Sequence, residues 1–258
     1  MTHPIALLWD VDGTLAETER DGHRVAFNLA FEAFGLPWRW DESRYGELLA
    51  VSGGRERLLS DMARHGDAPV SLDEREKLAR AVHERKTAFY VDLVHEGGIP
   101  LRPGVQALMD AWTAEGRRMA IATTTTRRNV DALLSVHLGP AWRERFAAVV
   151  CGEDVSAKKP NPEVFELALQ QLELGPLQAV AIEDSPAGVA AARAAEVPVI
   201  VTRSAYFEQA TLEGAIAIGP GLHTRADWRP GLRGEDGPVT VDDLDHWHAN
   251  MDTVSQFG

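Results

Sequence analysis

Short runs of apolar residues recur along the chain and are separated by segments whose apolar residues have helical spacing. Continuous apolar runs are typical of strands that are buried on both faces of a parallel sheet. The pattern predicts six strands, at residues 5–9, 119–122, 148–150, 179–182, 197–201 and 215–218. It predicts amphipathic helices at residues 105–114, 129–138, 162–174 and 186–195. The alternation indicates an α/β fold with a doubly wound, Rossmann-like parallel sheet.

One long interval breaks this alternation. Between residues 15 and 96 no convincing strand is found, and the spacing favours helices, for example at residues 23–34 and 73–94. We therefore expect an inserted α-helical domain at residues 15–96, and an α/β core domain formed by residues 1–14 and 97–258. The segment 219–237 is rich in Gly, Arg and Pro and predicts an irregular surface extension.

The composition of the chain excludes several classes of binding partner and of structural site. The 26 Lys and Arg residues against 39 Asp and Glu give a net charge of −13, which argues against binding to nucleic acid or to anionic membranes. No apolar run approaches the ~18 residues of a membrane span. The single cysteine, Cys151, excludes an intrachain disulfide and a cysteine-based zinc site, and suits the reducing cytoplasm.

The first motif with chemical meaning follows the first predicted strand, where Asp10 and Asp12 precede Gly13. Ligands of doubly wound sheets bind outside the carboxyl ends of the strands, so both carboxylates lie where a site is expected. Neighbouring carboxylates repel each other unless a cation balances them, and a hard ion such as Mg²⁺ prefers oxygen ligands. Alone, an Asp-Gly pair more often marks a solvated turn.

Two further motifs follow other predicted strands. The threonine run at residues 123–126 offers hydroxyl and backbone N–H groups to an anionic oxygen. Lys158 and Lys159 precede a proline and can bring positive charge to an acidic site. In isolation, the threonine run also fits a loop or helix cap, and the lysine pair fits a solvated loop.

The fourth motif is Glu183-Asp184, at the end of the fourth predicted strand and directly before a predicted helix. These two acids can complete a metal site with Asp10 and Asp12, although capping of the next helix by Asp184 or Ser185 is an alternative interpretation. Each motif is weak alone. Because each stands at the end of its own strand, their combination favours one shared site.

These motifs, taken in order, resemble the four-motif signature of the haloacid dehalogenase superfamily, and the helical insertion resembles the C1 cap of that family. The resemblance covers roughly residues 5–218. Within the superfamily the chain is similar to the CbbY group of the β-phosphoglucomutase-like branch. This finer resemblance rests on residues 12–24, 26–28, 53–57 and 123–126.

The resemblance implies catalysis through a phosphorylated aspartate. Asp10 would be the nucleophile, and Asp12 would act as general acid and then as general base. Mg²⁺ would be held by Asp10, the backbone carbonyl of Asp12 and Asp184, with Glu183 close by or bound through water. The pair of aspartates favours phosphoryl transfer over carbon–halogen cleavage, which has no leaving group that needs the second acid.

The resemblance also implies a substrate. Thr123, the N–H of Thr124 and Lys159 would bind the oxygens of the transferring phosphoryl group. CbbY proteins remove the 1-phosphate of xylulose 1,5-bisphosphate, an inhibitory by-product of Rubisco, which would connect this enzyme with the Calvin cycle. We expect a small phosphorylated sugar as substrate, and a monomer or weak dimer.

The inserted domain is expected to select the substrate. Arg55 and Arg57, beside Gly53 and Gly54, are candidates for binding a second, distal phosphate, because guanidinium groups bind phosphate in bidentate fashion. Ordinary surface arginines at the start of a helix are the alternative interpretation.

Three more residues are candidate substrate contacts. By the resemblance, Glu17 and His23 stand where sugar hydroxyls are recognised, and His23 lies one residue further from Asp12 than the histidine of β-phosphoglucomutase does. A solvated helix histidine is the alternative for His23. Asn129 is expected either to line the site or to begin a helix.

Three alternative functions stay open at this point. A phosphomutase would return the phosphate from Asp10 to a second hydroxyl of the sugar and would need the same acids and metal. A phosphatase of another small sugar phosphate, or of phosphoglycolate, would also fit. A receiver-like signalling module pairs acids with a Thr and a Lys around a phosphorylated Asp, but it is shorter and lacks a helical insertion.

Overall fold

The computed structural model describes residues 3–232 and 236–251, and its central element is a sheet of six parallel strands. The strands are β1 (Ala6–Trp9), β2 (Arg118–Ala122), β3 (Ala148–Val150), β4 (Ala179–Glu183), β5 (Val199–Thr202) and β6 (Ala217–Gly219). Their order across the sheet is β3-β2-β1-β4-β5-β6. The winding direction therefore reverses between β1 and β4, which is where ligands bind in doubly wound sheets. The predicted fold class is confirmed.

The helices lie between the strands and after the last one. They are α1 (Arg24–Ala33), α2 (Glu42–Leu48), α3 (Gly54–Met62), α4 (Leu72–His95), α5 (Val105–Ala114), α6 (Arg127–Leu138), α7 (Glu163–Leu172), α8 (Pro186–Ala194) and α9 (Val241–Ala249). A π-helical turn, Glu19–His23, precedes α1. Within residues 3–232 and 236–251, no helix combines the length and the apolar character that a membrane span requires.

The apolar runs form strands because both faces of the sheet are covered. In β1, Leu7 and Trp9 belong to the apolar cluster on one face, while Ala6 and Leu8 belong to the cluster on the other face. Side chains of a strand alternate between faces, so a strand that is buried on both sides carries apolar residues at nearly every position. This is why the strand predictions agree closely with the structure.

Helices α1–α4 form the inserted block and share a third apolar cluster, which includes Phe27, Phe31, Trp40 and Tyr45. Predicted helices at residues 23–34 and 73–94 correspond to α1 and α4, whereas α2 and α3 had no separate prediction. Tyr90 of α4 packs instead into the cluster beneath the sheet. The proposed domain boundaries at residues 15 and 96 stay a prediction.

The C-terminal part departs from the predicted surface extension. Arg229 forms an antiparallel bridge with Ile218, so this segment covers the edge of β6. Trp228 is buried and lies against Trp247 of α9, with the ring centroids 4.5 Å apart. The segment is irregular, as predicted, but its Trp228 is part of the core. Covering an edge strand also removes unpaired backbone groups from solvent.

We expect Trp247→Ala to lower the free energy of unfolding by about 3–5 kcal/mol, because the substitution leaves a cavity beside Trp228. Denaturant unfolding of the two proteins measures this difference. Val70 is 92% exposed, so Val70→Ala is the matched control and should change stability by less than about 0.5 kcal/mol. Equal stability of wild type and Trp247→Ala would show that the C-terminal segment is not part of the cooperative core.

Candidate active site

Five predicted residues meet at the carboxyl ends of the strands, because three neighbouring strands of the sheet end there. Asp10 follows β1, Thr123 follows β2, Glu183 ends β4, and Asp184 follows it. Lys159 comes from the loop before α7, and its Nζ lies 2.7 Å from Asp10 Oδ1 and 2.6 Å from Glu183 Oε1. The ammonium group also donates to the carbonyl of Ala122, at 2.8 Å. Lys159 therefore joins the ends of all three strands.

The negative charge of these acids exceeds what Lys159 balances. Burial raises the pKa of Asp10 to about 7, with a further contribution from Glu183 and despite Lys159. Burial and the charges of Asp10 and Glu183 also raise the pKa of Asp184 well above its usual range. Burial disfavours the charge of Lys159, but the two acids outweigh it and raise its pKa. The site consequently favours an additional cation.

The donor set fits a hard divalent cation. Asp10, Glu183 and Asp184 are buried, and one oxygen of each lies within 4.8 Å of the others. Gly13 has φ +83°, and a Cβ there would lie 2.0 Å from Asp184 Oδ2, so only glycine allows the backbone to approach this carboxylate. Asp12 contributes no side-chain oxygen to this group; only its backbone carbonyl was predicted as a ligand.

Asp12 lies in a separate hydrogen-bond network. Its Oδ1 accepts from Thr18 Oγ1 at 2.6 Å and lies 2.9 Å from His23 Nε2. His23 Nδ1 lies 2.9 Å from Nζ of Lys86, in α4. An ammonium group can only donate, so a charged Lys86 requires Nδ1 to accept and Nε2–H to donate to Asp12. Burial opposes ionisation of Asp12, but His23, Thr18 and Lys86 outweigh it and lower its pKa below the usual range.

His23 is thus placed against Asp12, and its predicted contact with sugar hydroxyls stays a prediction. It is buried and holds the second aspartate. The wider turn of a π-helix accommodates one extra residue, and Glu19–His23 forms such a turn. This accounts for the spacing of His23, which reaches Asp12 although one more residue separates them than in β-phosphoglucomutase.

A cavity of about 390 Å³ lies over these residues. Asp10, Asp12, Thr123, Thr124, Lys159 and Asp184 line it from the core, together with Ser185, Pro186, Ala187 and Phe207. The inserted block contributes Glu19, Gly46, Leu49, Ala50 and Ser52. The cavity thus has a charged end at the sheet and a mostly apolar wall on the inserted side.

The structure places Arg57 beside Glu19 and Tyr45, and its predicted role at a distal phosphate stays a prediction. It is buried, and its Nη1 lies 2.6 Å from Oη of Tyr45 and 3.4 Å from Oε2 of Glu19. Tyr45 in turn donates to Glu19. Arg57 therefore balances the charge of Glu19, which lines the cavity, although Arg57 itself is not among the lining residues. Arg55 lies at the surface, with its side chain half exposed.

Among the described residues, the remaining predicted substrate contacts also lie outside the cavity lining. Glu17 accepts a hydrogen bond from the N–H of Ala205 at 3.2 Å. Asn129 is buried, and its Nδ2 donates to Thr125 Oγ1 at 3.0 Å, so it supports the threonine loop from the first turn of α6. Gly53 and Gly54 begin α3, and Gly54 packs against His83. The roles of these residues in binding stay predictions.

Glu19, Tyr45 and Lys86 are members of the site that the sequence did not indicate. Glu19 stands close to the first motif, and its carboxylate position could have been noticed there. Lys86 is 63 residues from His23 in the chain, within an ordinary amphipathic helix. No local signal distinguishes it from the other lysines.

Comparison with known proteins defines the class of protein to which this chain belongs. A family model of haloacid dehalogenase-like hydrolases matches residues 6–196. The chain belongs to the haloacid dehalogenase-like hydrolase family. Its relatives include the plasmid CbbY protein of Cupriavidus necator, which is 44% identical over 232 residues, covering 87% of this chain and 88% of that protein.

Two further relatives are informative. The phosphorylated carbohydrates phosphatase of Thermotoga maritima is 31% identical over 217 residues, which cover 83% of this chain and 93% of that protein. An Asp-to-Asn variant of CbbY from Rhodobacter sphaeroides, solved in complex with xylulose 1,5-bisphosphate, is 39% identical. It superimposes with a TM-score of 0.78 over 84% of this chain and 94% of that one. The chain is accordingly an enzyme, a phosphoric monoester hydrolase.

The buried Lys86 generates a pH-dependent prediction. Burial lowers its pKa from 10.5 to about 8. Between these values the unfolded chain binds more protons than the folded chain, so the free energy of unfolding rises with pH. We expect wild type to gain on the order of 3 kcal/mol relative to Lys86→Met between pH 8 and 10.5, the window set by the two pKa values.

Urea unfolding of both proteins across this pH range measures the gain. Lys77 is exposed on α4, so Lys77→Met is the matched control, and its difference from wild type should not change with pH. A flat difference for Lys86→Met as well would contradict the prediction.

Proposed function

We propose that this enzyme is a Mg²⁺-dependent sugar phosphatase that hydrolyses xylulose 1,5-bisphosphate to xylulose 5-phosphate and inorganic phosphate. The observation that carries the proposal is the pair of aspartates on the cavity wall in different environments: Asp10 beside Lys159 and the acidic group, Asp12 beside His23. The complex of the related CbbY protein with xylulose 1,5-bisphosphate supports this choice of substrate. In a host that has Rubisco, the reaction would remove an inhibitor.

In the first step, an oxygen of Asp10 attacks phosphorus and the bond between phosphorus and the sugar oxygen breaks. Asp12 gives its proton to that departing oxygen, so the sugar leaves as an alcohol and a phosphorylated Asp10 remains. In the second step, Asp12 takes a proton from water, whose oxygen attacks phosphorus and releases Asp10. Two moderate barriers thus replace one very high barrier.

Entry of the substrate explains how Asp12 can carry a proton when the reaction begins. Its pKa is low in the free enzyme, but a phosphate dianion that enters beside it is a like charge, and like charges raise the pKa of a carboxyl group. Among the described residues, His23 Nε2 and Thr18 Oγ1 hold Asp12 Oδ1, and we propose that Oδ2 faces the substrate. We infer that substrate entry itself prepares Asp12 as the acid.

The transferring phosphoryl group needs charge neutralisation and fixed geometry. Lys159 supplies one cation, and Thr123 and Thr124 line the same cavity; the Thr123 hydroxyl and the N–H of Thr124 would bind phosphoryl oxygens. Mg²⁺ bound by Asp10 and Asp184 would neutralise further negative charge on the phosphoryl oxygens. Glu183 accepts from the N–H of Asp184 at 3.1 Å and thereby orients this ligand.

The proposed function is tested by release of inorganic phosphate, with Mg²⁺, from xylulose 1,5-bisphosphate, ribulose 1,5-bisphosphate, β-glucose 1-phosphate and 2-phosphoglycolate at equal concentrations. We expect the first to be strongly preferred, with one phosphate released per substrate consumed. Substrate loss without free phosphate would indicate a mutase. Preference for another ester would refute the substrate but keep the chemistry.

Asp10→Asn is expected to lower phosphate release by about 10³-fold or more, because an amide oxygen is a poor nucleophile. The substitution is nearly isosteric, so circular dichroism should show an unchanged fold. Asp73 is exposed at the start of α4, and Asp73→Asn provides the control with the same charge change. Wild-type turnover by Asp10→Asn would refute the assignment of the nucleophile.

The charge imbalance of the acidic group predicts a metal-dependent stability that is independent of turnover. Mg²⁺ at about 100 times its Kd should raise Tm by roughly 5–10 °C, since it binds only the folded chain. Asp184→Asn should remove most of this shift, whereas Asp73→Asn should keep it. A shift of equal size in Asp184→Asn would show that Mg²⁺ binds elsewhere.

A further inference from the structure

Arg102 holds together three loops at the carboxyl ends of the strands. Its Nη1 donates to the carbonyl of Gly13 at 2.5 Å and to the carbonyl of Thr202 at 3.1 Å. Its Nη2 donates to the carbonyls of Arg203 at 2.5 Å and Pro220 at 3.2 Å. These acceptors stand at or after the ends of β1, β5 and β6. One side chain therefore fixes the loops of three strands.

These contacts depend on the shape of the guanidinium group, which holds five N–H donors in a rigid planar fork. A lysine carries the same charge, but its three donors share one nitrogen atom, which cannot take the place of both Nη1 and Nη2. The side chain of Arg102 is only 11% exposed, and a buried charge requires hydrogen-bond partners. Besides the four carbonyls, the hydroxyl of Thr202 lies 3.0 Å from Nη1, and Glu17 Oε1 lies 3.7 Å from Nε. Backbone carbonyls are thus the main partners of this cation.

The loops that Arg102 holds lie on both sides of Asp184. The strand order places β4, which Asp184 follows, between β1 and β5. On the β1 side, a Cβ at Gly13 would lie 2.0 Å from Asp184 Oδ2, so this backbone packs against the carboxylate. On the β5 side, Ser204 directly follows Arg203; it is buried, and its side chain interacts with Asp184. A shift of either loop would change the surroundings of this carboxylate.

Arg102 also fixes the backbone beside a second proposed metal ligand. Gly13 directly follows Asp12, whose carbonyl is the proposed ligand. The N–H of Gly13 donates to the carbonyl of Ala16 at 2.8 Å, and its own carbonyl accepts from Arg102. Glycine is the residue with the greatest backbone freedom, so a turn at φ +83° needs such contacts to keep one conformation. Both polar groups of this glycine are held, and they restrain the peptide that precedes it.

We propose that Arg102 is a positioning residue for Asp184 and thereby sets the affinity of the acidic group for a divalent cation. It acts by holding the Gly13 turn and the loop that carries Ser204, which both contact this carboxylate. The inference rests on the Mg²⁺ dependence in the proposed function and deepens it. Lys159 acts differently, because it contacts the other two acids of the group directly.

The test is the Kd for Mg²⁺, measured by isothermal titration calorimetry without substrate and therefore independently of turnover. Arg102→Lys keeps the charge but loses the fork, and we expect it to raise the Kd about 10-fold, a typical effect of losing a group that orients metal ligands. Ser204→Ala removes one contact of Asp184 and should raise the Kd about three-fold. Arg118→Lys is the matched control, because Arg118 also donates to a backbone carbonyl, that of Leu172 at 2.8 Å, but begins β2 at the opposite end of the strands.

Circular dichroism at the temperature of the titration identifies the variants that are folded. A merely structural role of Arg102 would lower Tm and leave the Kd of the folded protein within two-fold of wild type, and this result would overturn the inference. An equal rise of the Kd in Arg118→Lys would also overturn it. If Arg102→Lys does not fold, Ser204→Ala decides, and an unchanged Kd in that variant would overturn the inference.

The outcomes separate this inference from the proposed function. Arg102-dependent Mg²⁺ binding by a protein that releases no phosphate from xylulose 1,5-bisphosphate would refute the proposed function and leave this inference standing. Phosphate release by wild type, together with an unchanged Kd for Mg²⁺ in folded Arg102→Lys, would refute this inference alone.

Discussion

The ion pairs of Lys159 are the interaction on which the rest of the site depends. One buried ammonium group contacts two acids and a backbone carbonyl, and it holds together the carboxyl ends of β2, β1 and β4. Removing one partner of a buried ion pair is far more costly than the pair is stabilising. The core can therefore keep Asp10, Glu183 and Asp184 together only with Lys159 present, and even then the acids retain a surplus of negative charge.

The second aspartate depends on the inserted block. His23 precedes α1, and Lys86 lies in α4; these helices pack against each other, and together they hold Asp12. The hydrogen bonding of the proposed general acid is thus sensitive to how the inserted helices lie against the core. The π-helical turn that carries His23 also carries Glu19, which lines the cavity, so one element of the inserted block contributes both to the surroundings of Asp12 and to the cavity wall.

The fold and the residues at the strand ends could be predicted from sequence because their signals are local. Continuous apolar runs mark the buried strands, and the motifs at Asp10, Thr123 and Glu183 follow directly from them. The surroundings of Asp12 could not be predicted, since the contact of His23 with Lys86 joins residues 63 positions apart. A sequence does not show which acid a buried arginine balances, so the contact of Arg57 with Glu19 could not be predicted either. The C-terminal core residues could not be predicted for the same reason. Trp228 and Trp247 can be recognised as core residues only from their contact with each other.

The charge of the cavity is unbalanced at the sheet and balanced on the inserted side. At the sheet, three buried acids face one lysine, an arrangement that attracts a cation. On the inserted side, the acid that lines the wall is Glu19, and the buried Arg57 balances its charge. Burial strengthens the imbalance at the sheet, because charges interact more strongly away from water. A divalent cation therefore suits the sheet end of the cavity, and the anionic group that this cation neutralises would bind beside it.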